Sequence, residues 1–295
     1  MKKTIQALLK AAEKITGRKI LIARDNARQT AVLSDMGFWY AGNILDTADL
    51  AHGMLQNGII EAEETRLVAS VLDLIVSSQG RLSLYDIGAN TGYYGILAGF
   101  KYKGNVSVQS FEPLAYHSAF LKSSIALNRL EQEVTVHQLA LGDKNSEETI
   151  YVAGSGTSLS KEFVEGAFSG TETVQVRKLD DYANEKSLPN PDFIKIDVEG
   201  YEQSVLTGGK QLIEKSLPVL YVEIAKTLRV LGRPEFSNAS FGETLSLLAS
   251  MGYEVYVQNG FKIELFDPAS SFDGVRMYLF LHKEKHAGIK KALQA

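Results

Sequence analysis

Carboxylates follow a buried strand in the stretch DFIKIDVEGYE, residues 192–202. Because side chains alternate along a strand, Lys195 and Asp197 are expected on the same face. A carboxylate at the end of such a strand can orient a hydroxyl group of a ligand or accept its proton. Asp197 is therefore the predicted catalytic residue. Glu199 and Glu202 are expected in the first turns of the next helix, where acids complement the helix dipole.

A glycine-rich turn in LYDIGANTGYYGILAGF, residues 84–100, is the candidate cofactor site. Asp86 ends a strand, and Gly88, Asn90 and Gly92 lie in the turn before a helix, where free amides can accept an anion. The spacing differs from the dinucleotide fingerprint, and Asp86 would repel a pyrophosphate. Asp86 would instead attract an ammonium group. The turn therefore predicts a site for the methionine end of S-adenosylmethionine, whose carboxylate would accept hydrogen bonds from the free amides.

Glu112 ends the following strand in VQSFEP. A carboxylate at this position can accept hydrogen bonds from both hydroxyls of a ribose. The alternative is that Glu112 caps the helix that begins near Pro113. Together with Asp86, Glu112 favours S-adenosylmethionine as the cofactor.

Four further polar residues have weaker signals. Asp143, in ALGD after the third strand, is predicted to contact adenine, with a turn role as the alternative. Asn128 is expected at a helix C-cap rather than at a ligand. His117 and His137 are single histidines without a second ligand at metal spacing, so packing roles are expected.

A metal site is not predicted. Glu223 ends the fifth strand and could join Asp197 around a divalent cation, but the sequence indicates no third ligand. The segment 152–160, VAGSGTSLS, is either a loop that closes over the ligand, with Ser158 able to form a hydrogen bond, or a plain surface loop.

The predicted secondary structure that positions these residues changes near residue 80. The preceding pattern is helical, whereas short apolar strands alternate with helices afterwards, which predicts a mostly parallel sheet with helices on both faces. We therefore predict an N-terminal helical extension over residues 1–79 and a cofactor-binding domain over 80–285. Residues 286–295 are expected to form a C-terminal tail.

Two segments interrupt this alternation. Residues 147–154 and 173–182 alternate apolar and polar positions, which predicts a small antiparallel pair outside the main sheet. Near the C-terminus, Ser240 and Glu243 have capping-box spacing and predict the start of a helix.

The motifs YDIGANTGYYG, FEP, ALGD, LDDY and IKIDVEGYE occur in this order, and together they resemble the FkbM family of S-adenosylmethionine-dependent methyltransferases. The resemblance covers roughly residues 58–225. It implies the class I methyltransferase fold, a Rossmann-like α/β fold with a seven-stranded, mostly parallel sheet whose last strand is antiparallel. It also implies O-methylation of a hydroxyl on a sugar, glycan or natural product.

Composition excludes several other classes of protein. The chain has 295 residues, a formal net charge of -4 and no cysteine, so a general nucleic-acid binder, disulfides and thiolate metal sites are not expected. No stretch approaches the roughly 18 apolar residues of a membrane span. A cytoplasmic enzyme is expected, with a small-molecule or glycan acceptor.

The start of the chain, residues 1–19, is predicted to be an amphipathic helix whose apolar stripe packs on the sheet domain or on a second subunit in a homo-oligomer. Two other functions compete with the methyltransferase. One is a regulatory protein that binds the cofactor without turnover. The other is an NAD-dependent oxidoreductase, which the glycine spacing and Asp86 disfavour.

Overall fold

The structure is a computed structural model that describes residues 13–22, 30–230, 232–268 and 273–295. The strands within these ranges are β1 (Ile20–Ile22), β2 (Thr30–Leu33), β3 (Trp39–Gly42), β4 (Leu82–Ile87), β5 (Val106–Phe111), β6 (Val134–His137), β7 (Ala140–Gly142), β8 (Ser146–Val152), β9 (Gly170–Lys178), β10 (Phe193–Ile196), β11 (Val219–Ala225), β12 (Thr227–Leu228), β13 (Phe236–Ser237), β14 (Tyr253–Asn259), β15 (Lys262–Leu265) and β16 (Val275–His282). The helices are α1 (Leu50–Asn57), α2 (Ala62–Gln79), α3 (Tyr93–Lys101), α4 (Ala115–Asn128), α5 (Leu179–Glu185), α6 (Glu202–Gly208), α7 (Lys210–Ser216), α8 (Phe241–Ser250) and α9 (Ala287–Gln294).

The central sheet has the strand order β15-β14-β16-β11-β10-β4-β5-β6 in the described part of the chain. Strands β6, β5, β4, β10 and β11 are parallel, and β16 runs antiparallel to both of its neighbours. The predicted mostly parallel sheet with an antiparallel last strand is therefore present.

Within the described residues the sheet has eight strands in place of the predicted seven, because a hairpin extends one edge. Gly260 and Phe261 connect β14 to β15, and Gly260 has a φ of 61°. A two-residue loop with a left-handed residue matches the twist of paired strands, so β15 folds back on β14.

The small antiparallel pair predicted outside the main sheet is confirmed. Strands β8 and β9 pair from Ser146 opposite Val176 to Val152 opposite Gly170. Strand β7 adds to β9 in parallel and completes a three-stranded sheet.

The extension before residue 80 is not helical throughout, which corrects the prediction. Strands β1, β2 and β3 form an antiparallel sheet ahead of helices α1 and α2. These strands have three or four residues, too few for an alternating pattern to stand out. Side chains of α4 support the edge of β3, where Ser124 Oγ accepts a hydrogen bond from the Ala41 N–H at 2.9 Å.

Most of the amphipathic helix predicted over residues 1–19 lies outside the described residues. Residues 13–16 are helical, and the Ile15 side chain there is exposed. Downstream, Tyr40 and Met54 are fully buried in the main core, so this later part of the extension packs on the sheet domain.

Two further expectations near the C-terminus change in detail. Residues 286–295 are not a tail, since α9 buries Leu293 against the core. Helix α8 begins after Ser240 as predicted, but the Ser240 side chain forms no capping bond because its ψ of 1° lies outside the extended region that capping requires.

Among the described helices, none is both long and apolar enough to cross a membrane.

The central sheet separates two hydrophobic clusters. Phe193 packs on the side of the N-terminal extension and Ile194 on the other side, as alternation requires. On the first side, Lys195 is level with Asp86 of β4, and Glu223 lies two positions beyond the β11 partner of Lys195. Charged side chains from three neighbouring strands thus converge at the carboxyl edge of the sheet.

Candidate functional site

A cavity of about 200 Å³ lies at the carboxyl ends of β4, β5, β10 and β11. The chain continues from β4 to one side of the sheet and reaches β10 on the other side, which is where open α/β sheets bind ligands. Five predicted site residues line the cavity: Asp86, Gly88, Asn90, Glu112 and Asp197. Gly92 and Asp143 are not among its lining residues.

The two glycines of the turn allow close packing of the backbone. Gly88 has a φ of 75°, and a Cβ there would lie 1.8 Å from the Asp197 carbonyl oxygen. Gly92 has a φ of 87° and precedes α3, and a Cβ there would lie 2.0 Å from Leu121 Cδ1. Gly88 therefore lets the turn reach the end of β10, whereas Gly92 serves packing rather than ligand contact.

The amides of the turn are already engaged, contrary to the prediction that they are free. The N–H groups of Gly88 and Ala89 donate to the Phe111 carbonyl at 3.0 and 2.9 Å. The Asn90 N–H donates to Glu112 Oε2 at 2.9 Å. These bonds tie the turn to the end of β5. The turn can therefore contact a ligand through its surface and its charged neighbours, but these N–H groups are not free to donate to it.

Asp86 is 1% exposed, and its two carboxylate oxygens differ. Oδ2 accepts a hydrogen bond from the Gly95 N–H at 3.0 Å, whereas Oδ1 has no partner in the described structure. Burial raises the pKa of Asp86, and the nearby Lys195 ammonium opposes that shift. A buried acceptor without a donor is costly, so Oδ1 is suited to receive a donor from a ligand.

Glu112 has the bracing role at the start of α4 that the sequence left open, and its contact with a ribose stays a prediction. Its Oε1 accepts from the Leu114 N–H at 2.9 Å, and its Oε2 accepts from Asn90, so the carboxylate braces the turn and the start of α4. Glu112 also lines the cavity. A carboxylate has about four acceptor positions, so these bonds leave capacity for ligand hydroxyls.

Asp143 and Asn128 depart from their predicted roles. Asp143 is exposed, because β7 pairs with β9 in the separate sheet and carries the chain away from the cavity. Asn128 is the last residue of α4 rather than its cap, which is Arg129. The Asn128 amide pairs with both the N–H and the carbonyl of Trp39, at 2.8 and 2.7 Å, and so joins α4 to β3.

Asp197 lies at the cavity with two further carboxylates. One oxygen from each of Asp197, Glu199 and Glu223 lies within 4.8 Å of the other two, an arrangement that could hold a cation. The sequence analysis named only Asp197 and Glu223 as possible ligands of a cation. Glu199 has a φ of 55° and precedes α6, which begins at Glu202, so it is not in the first helical turn as predicted.

Lys195 lies beneath this acidic group and is 5% exposed. Its Nζ donates to Asp197 Oδ2 at 2.8 Å and lies 5.1 Å from the centroid of the Tyr94 ring. Burial by itself would lower the pKa of Lys195, but the carboxylates of Asp197 and Asp86 raise it overall. Lys195 is therefore a fixed cation.

The carboxyl groups that Lys195 does not contact hold their protons more strongly. Burial, together with the charges of Asp197 and Glu202, raises the pKa of Glu199 to about 8. Burial, with the charges of Asp197 and Glu199, raises the pKa of Glu223 well above its ordinary value. Glu202 does not line the cavity, and its Oε1 accepts a hydrogen bond from the Gly200 N–H at 2.9 Å.

Two segments outside the sheet close the cavity. From the N-terminal extension, Glu61 lines the cavity and its Oε2 accepts a hydrogen bond from the Tyr94 hydroxyl at 3.0 Å. From the 152–160 segment, Ser158 is 1% exposed and donates to the Glu199 carbonyl at 2.5 Å. This segment is therefore part of the cavity wall.

Sequence reasoning missed several cavity residues besides Glu61, and two of them make contacts within the site. His117 lines the cavity, with its Nδ1 3.4 Å from Glu112 Oε1. Tyr94 also lines the cavity and contacts both Lys195 and Glu61. Tyr94 had a usable signal, since it lies two positions after Gly92 of the glycine turn. His117 had a weaker one, five positions after Glu112.

The sheet order, the glycine turn and the acids at the strand ends define a class I methyltransferase fold. The sequence model of the Methyltransferase FkbM domain matches residues 86–255, more than half of the chain, and the chain belongs to this family. It is accordingly a member of a methyltransferase family.

Individual relatives are more distant. The chain is 41% identical over 49 residues to 2-O-methyltransferase NoeI of Sinorhizobium fredii (strain NBRC 101917 / NGR234), which covers 17% of this chain and 20% of that protein. Methyltransferase FkbM of Methylobacillus flagellatus KT is 17% identical, with a TM-score of 0.41 over 77% of this chain and 60% of that one. M. jannaschii TYW2, crystallised with AdoMet, is 13% identical, with a TM-score of 0.40 over 88% and 87%. Family membership therefore rests on the domain match.

Proposed function

We propose that this chain transfers the methyl group of S-adenosylmethionine to a hydroxyl oxygen of a sugar, a glycan or a natural product. The observation that carries the proposal is that Asp86 Oδ1, buried in the same cavity as Asp197, has no partner among the described residues. A cofactor with an ammonium group would satisfy Asp86, and the acceptor would then lie toward Asp197.

The residues present fit S-adenosylmethionine. Asp86 Oδ1 would accept from its ammonium group, and Glu112 retains acceptor capacity for the ribose hydroxyls. Leu139, Ala140 and Leu141 provide an apolar wall suited to the adenine, in place of the Asp143 contact predicted from the sequence. When bound, this cofactor supplies a methyl group on a positively charged sulfur.

Asp197 is the proposed catalytic residue. Transfer to an alcohol forms a C–O bond, breaks the C–S bond and releases the hydroxyl proton, which a carboxylate of the protein must receive or direct to solvent. Lys195 occupies Asp197 Oδ2 at 2.8 Å and fixes the orientation of the carboxylate. Oδ1 is then the atom that meets the acceptor hydroxyl.

The Asp197→Asn variant tests this role. Asn keeps the shape and one acceptor oxygen but cannot accept a proton, and loss of a general base typically lowers the rate by about 10²–10⁴-fold. We expect turnover, measured as S-adenosylhomocysteine formation with an active acceptor, to fall by that amount, and S-adenosylhomocysteine affinity to stay within a few-fold. Asp143→Asn is the matched control, since Asp143 is exposed and outside the cavity.

Three outcomes would change the assignment. Substantial activity in Asp197→Asn, with no acidic limb in the pH–rate profile, would make Asp197 an orienting residue only. A collapse of cofactor affinity would place Asp197 in the cofactor site. A product methylated on nitrogen or carbon, identified by mass spectrometry and NMR, would contradict O-methylation.

A further inference from the structure

Tyr94, the second residue of α3, joins the N-terminal extension to the end of β10. It is 6% exposed and lines the cavity. Its hydroxyl donates to Glu61 Oε2 at 3.0 Å, and the centroid of its ring lies 5.1 Å from Lys195 Nζ. One buried side chain therefore contacts both an acid of the extension and the cation that orients Asp197.

The ring contact bears on the orientation of Asp197. Lys195 Nζ donates to Asp197 Oδ2 at 2.8 Å. A lysine ammonium is a point charge on a flexible four-carbon chain, so one hydrogen bond does not fix its position. The Tyr94 ring restricts this freedom, because a desolvated cation is attracted to the face of an aromatic ring. Asp197 keeps one orientation as long as Lys195 stays in place.

The ring of Tyr94 is itself held by its neighbours. The ring of Tyr93 meets it edge to face, with the centroids 5.2 Å apart and the planes at 78°. The bond to Glu61 holds the far end of the ring, where the hydroxyl lies. A buried hydroxyl without an acceptor is costly, so Glu61 stabilises the ring in the position that faces Lys195.

The segment that carries Glu61 is attached to the same helix. The Tyr93 hydroxyl accepts a hydrogen bond from the Ile60 N–H at 3.4 Å and lies 3.2 Å from Thr65 Oγ1. Glu61 is the N-cap residue of α2, has a φ of 44° and forms no capping bond with its side chain. Its carboxylate is thus directed to Tyr94 and not to the amides of its own helix.

We propose that Tyr94 is a positioning residue through which the N-terminal extension holds the catalytic carboxylate in place. Glu61 holds the hydroxyl of Tyr94, and the ring of Tyr94 holds Lys195. Lys195 in turn orients Asp197. This proposal rests on the proposed function, in which Asp197 meets the acceptor. Cofactor affinity should change little when the chain of contacts is broken, because the proposed contacts to the cofactor come from other residues.

A direct contact between Glu61 and the acceptor is the rival interpretation, since Glu61 also lines the cavity. The two interpretations differ in how substitutions combine. If Glu61 acts through the Tyr94 hydroxyl, its loss has no further effect once that hydroxyl is absent. If Glu61 contacts the acceptor, the effects of the two substitutions multiply.

The first test removes the ring from the full-length protein. Methyl transfer is measured with labelled S-adenosylmethionine and a small-molecule extract as the source of acceptor, and rates are extrapolated to saturating extract. Tyr94→Leu should lower kcat about tenfold, the factor that a desolvated cation–π contact is worth, with S-adenosylhomocysteine affinity within a few-fold. Tyr94→Phe keeps the ring and should retain kcat within about threefold. An unchanged kcat in Tyr94→Leu, or equal losses in both variants, would overturn the proposal.

The second test is a double-mutant cycle. Glu61→Ala should lower kcat about fivefold, because the hydroxyl of Tyr94 loses its acceptor and the ring moves. Adding Tyr94→Phe should restore kcat to the value of Tyr94→Phe alone, because no hydroxyl then needs an acceptor. Glu63→Ala is the matched control, since Glu63 is exposed in the first turn of α2 and does not line the cavity. Multiplying losses, or a change in KM alone, would show that Glu61 contacts the acceptor.

A spectroscopic measurement follows Lys195 without any acceptor. Protons over the face of an aromatic ring resonate at higher field, and in protein labelled with carbon-13 at lysine Cε the signal of Lys195 is assigned by its loss in Lys195→Arg. We expect a high-field signal in the wild-type protein and in Tyr94→Phe, and its return toward the other lysines in Tyr94→Leu and Glu61→Ala. The same signal position in all four proteins would contradict the chain of contacts.

The failure of each proposal is distinguishable. If labelled product forms and Tyr94→Leu matches the wild-type protein, the positioning role is wrong and the proposed function stands. A collapse of S-adenosylhomocysteine affinity in Tyr94→Leu would place Tyr94 in the cofactor site instead. If S-adenosylhomocysteine does not bind to the wild-type protein and no labelled product forms, the proposed function fails and the positioning role fails with it.

Discussion

The contact between the glycine turn and the end of β10 leads to a sharp prediction for Gly88→Ala. The added Cβ would lie 1.8 Å from the Asp197 carbonyl oxygen and 2.8 Å from its carbonyl carbon. Because these are backbone atoms, no side-chain rotation can relieve the overlap. The left-handed φ of 75° adds a conformational cost for alanine.

Gly80→Ala is a matched control. Gly80 has a φ of 73°, and a Cβ there has no atom within 4 Å. The conformational cost of about 1 kcal/mol should therefore be common to both variants. Overpacking against a fixed neighbour typically adds about 2 kcal/mol, so Gly88→Ala should lower the free energy of unfolding by about 3 kcal/mol.

Urea denaturation measures the free energy of unfolding, and calorimetry measures S-adenosylhomocysteine affinity. Moving the turn away from Asp197 displaces the residues that surround Asp86, so Gly88→Ala should bind at least about tenfold more weakly. Gly80→Ala should bind normally. Equal losses of stability and equal affinities in the two variants would show that the close approach of Gly88 to Asp197 has no energetic consequence.

Three further predictions concern the bracing of the site and the stability of the fold. Glu112→Ala should weaken S-adenosylhomocysteine binding by about 1.5–3 kcal/mol in calorimetry, since a charged acceptor is lost; an unchanged Kd would limit Glu112 to bracing the turn. Asn128→Ala should destabilise the fold by about 2 kcal/mol in urea, because the Trp39 N–H and carbonyl lose their partner; an unchanged midpoint would show that water replaces the amide. Burial lowers the pKa of His137 from 6.5 to about 4, so the folded state resists protonation and stability should fall as the pH drops between these values, by up to about 1.4 kcal/mol per pH unit. The slope of unfolding free energy against pH should be smaller in His137→Gln, and an identical slope would contradict the assignment.

The parts of the fold that follow from the local alternation of apolar and polar residues were predictable. The glycine turn follows β4 directly, and Glu112 and Asp197 each follow an apolar strand, so alternation and strand ends located the five predicted residues that line the cavity. The small sheet was recognisable for the same reason, because β8 and β9 are seven and nine residues long.

The parts that depend on distant contacts were not predictable. Glu61 reaches the cavity only because the N-terminal extension packs on the sheet domain. Glu199 adopts a left-handed conformation that moves it out of α6 and beside Asp197. Asp143 follows a strand that joins another sheet, and neither the direction of that strand nor its partner can be seen in ALGD.

Calorimetric titration of the wild-type protein with S-adenosylhomocysteine and, separately, with NAD is the decisive measurement for the proposed cofactor. Among the described residues, Asp86 has a free, buried oxygen for the ammonium of the methionine end, and its charge would repel a pyrophosphate. We predict saturable binding of S-adenosylhomocysteine and no measurable binding of NAD. Saturable binding of NAD without binding of S-adenosylhomocysteine would contradict the assignment.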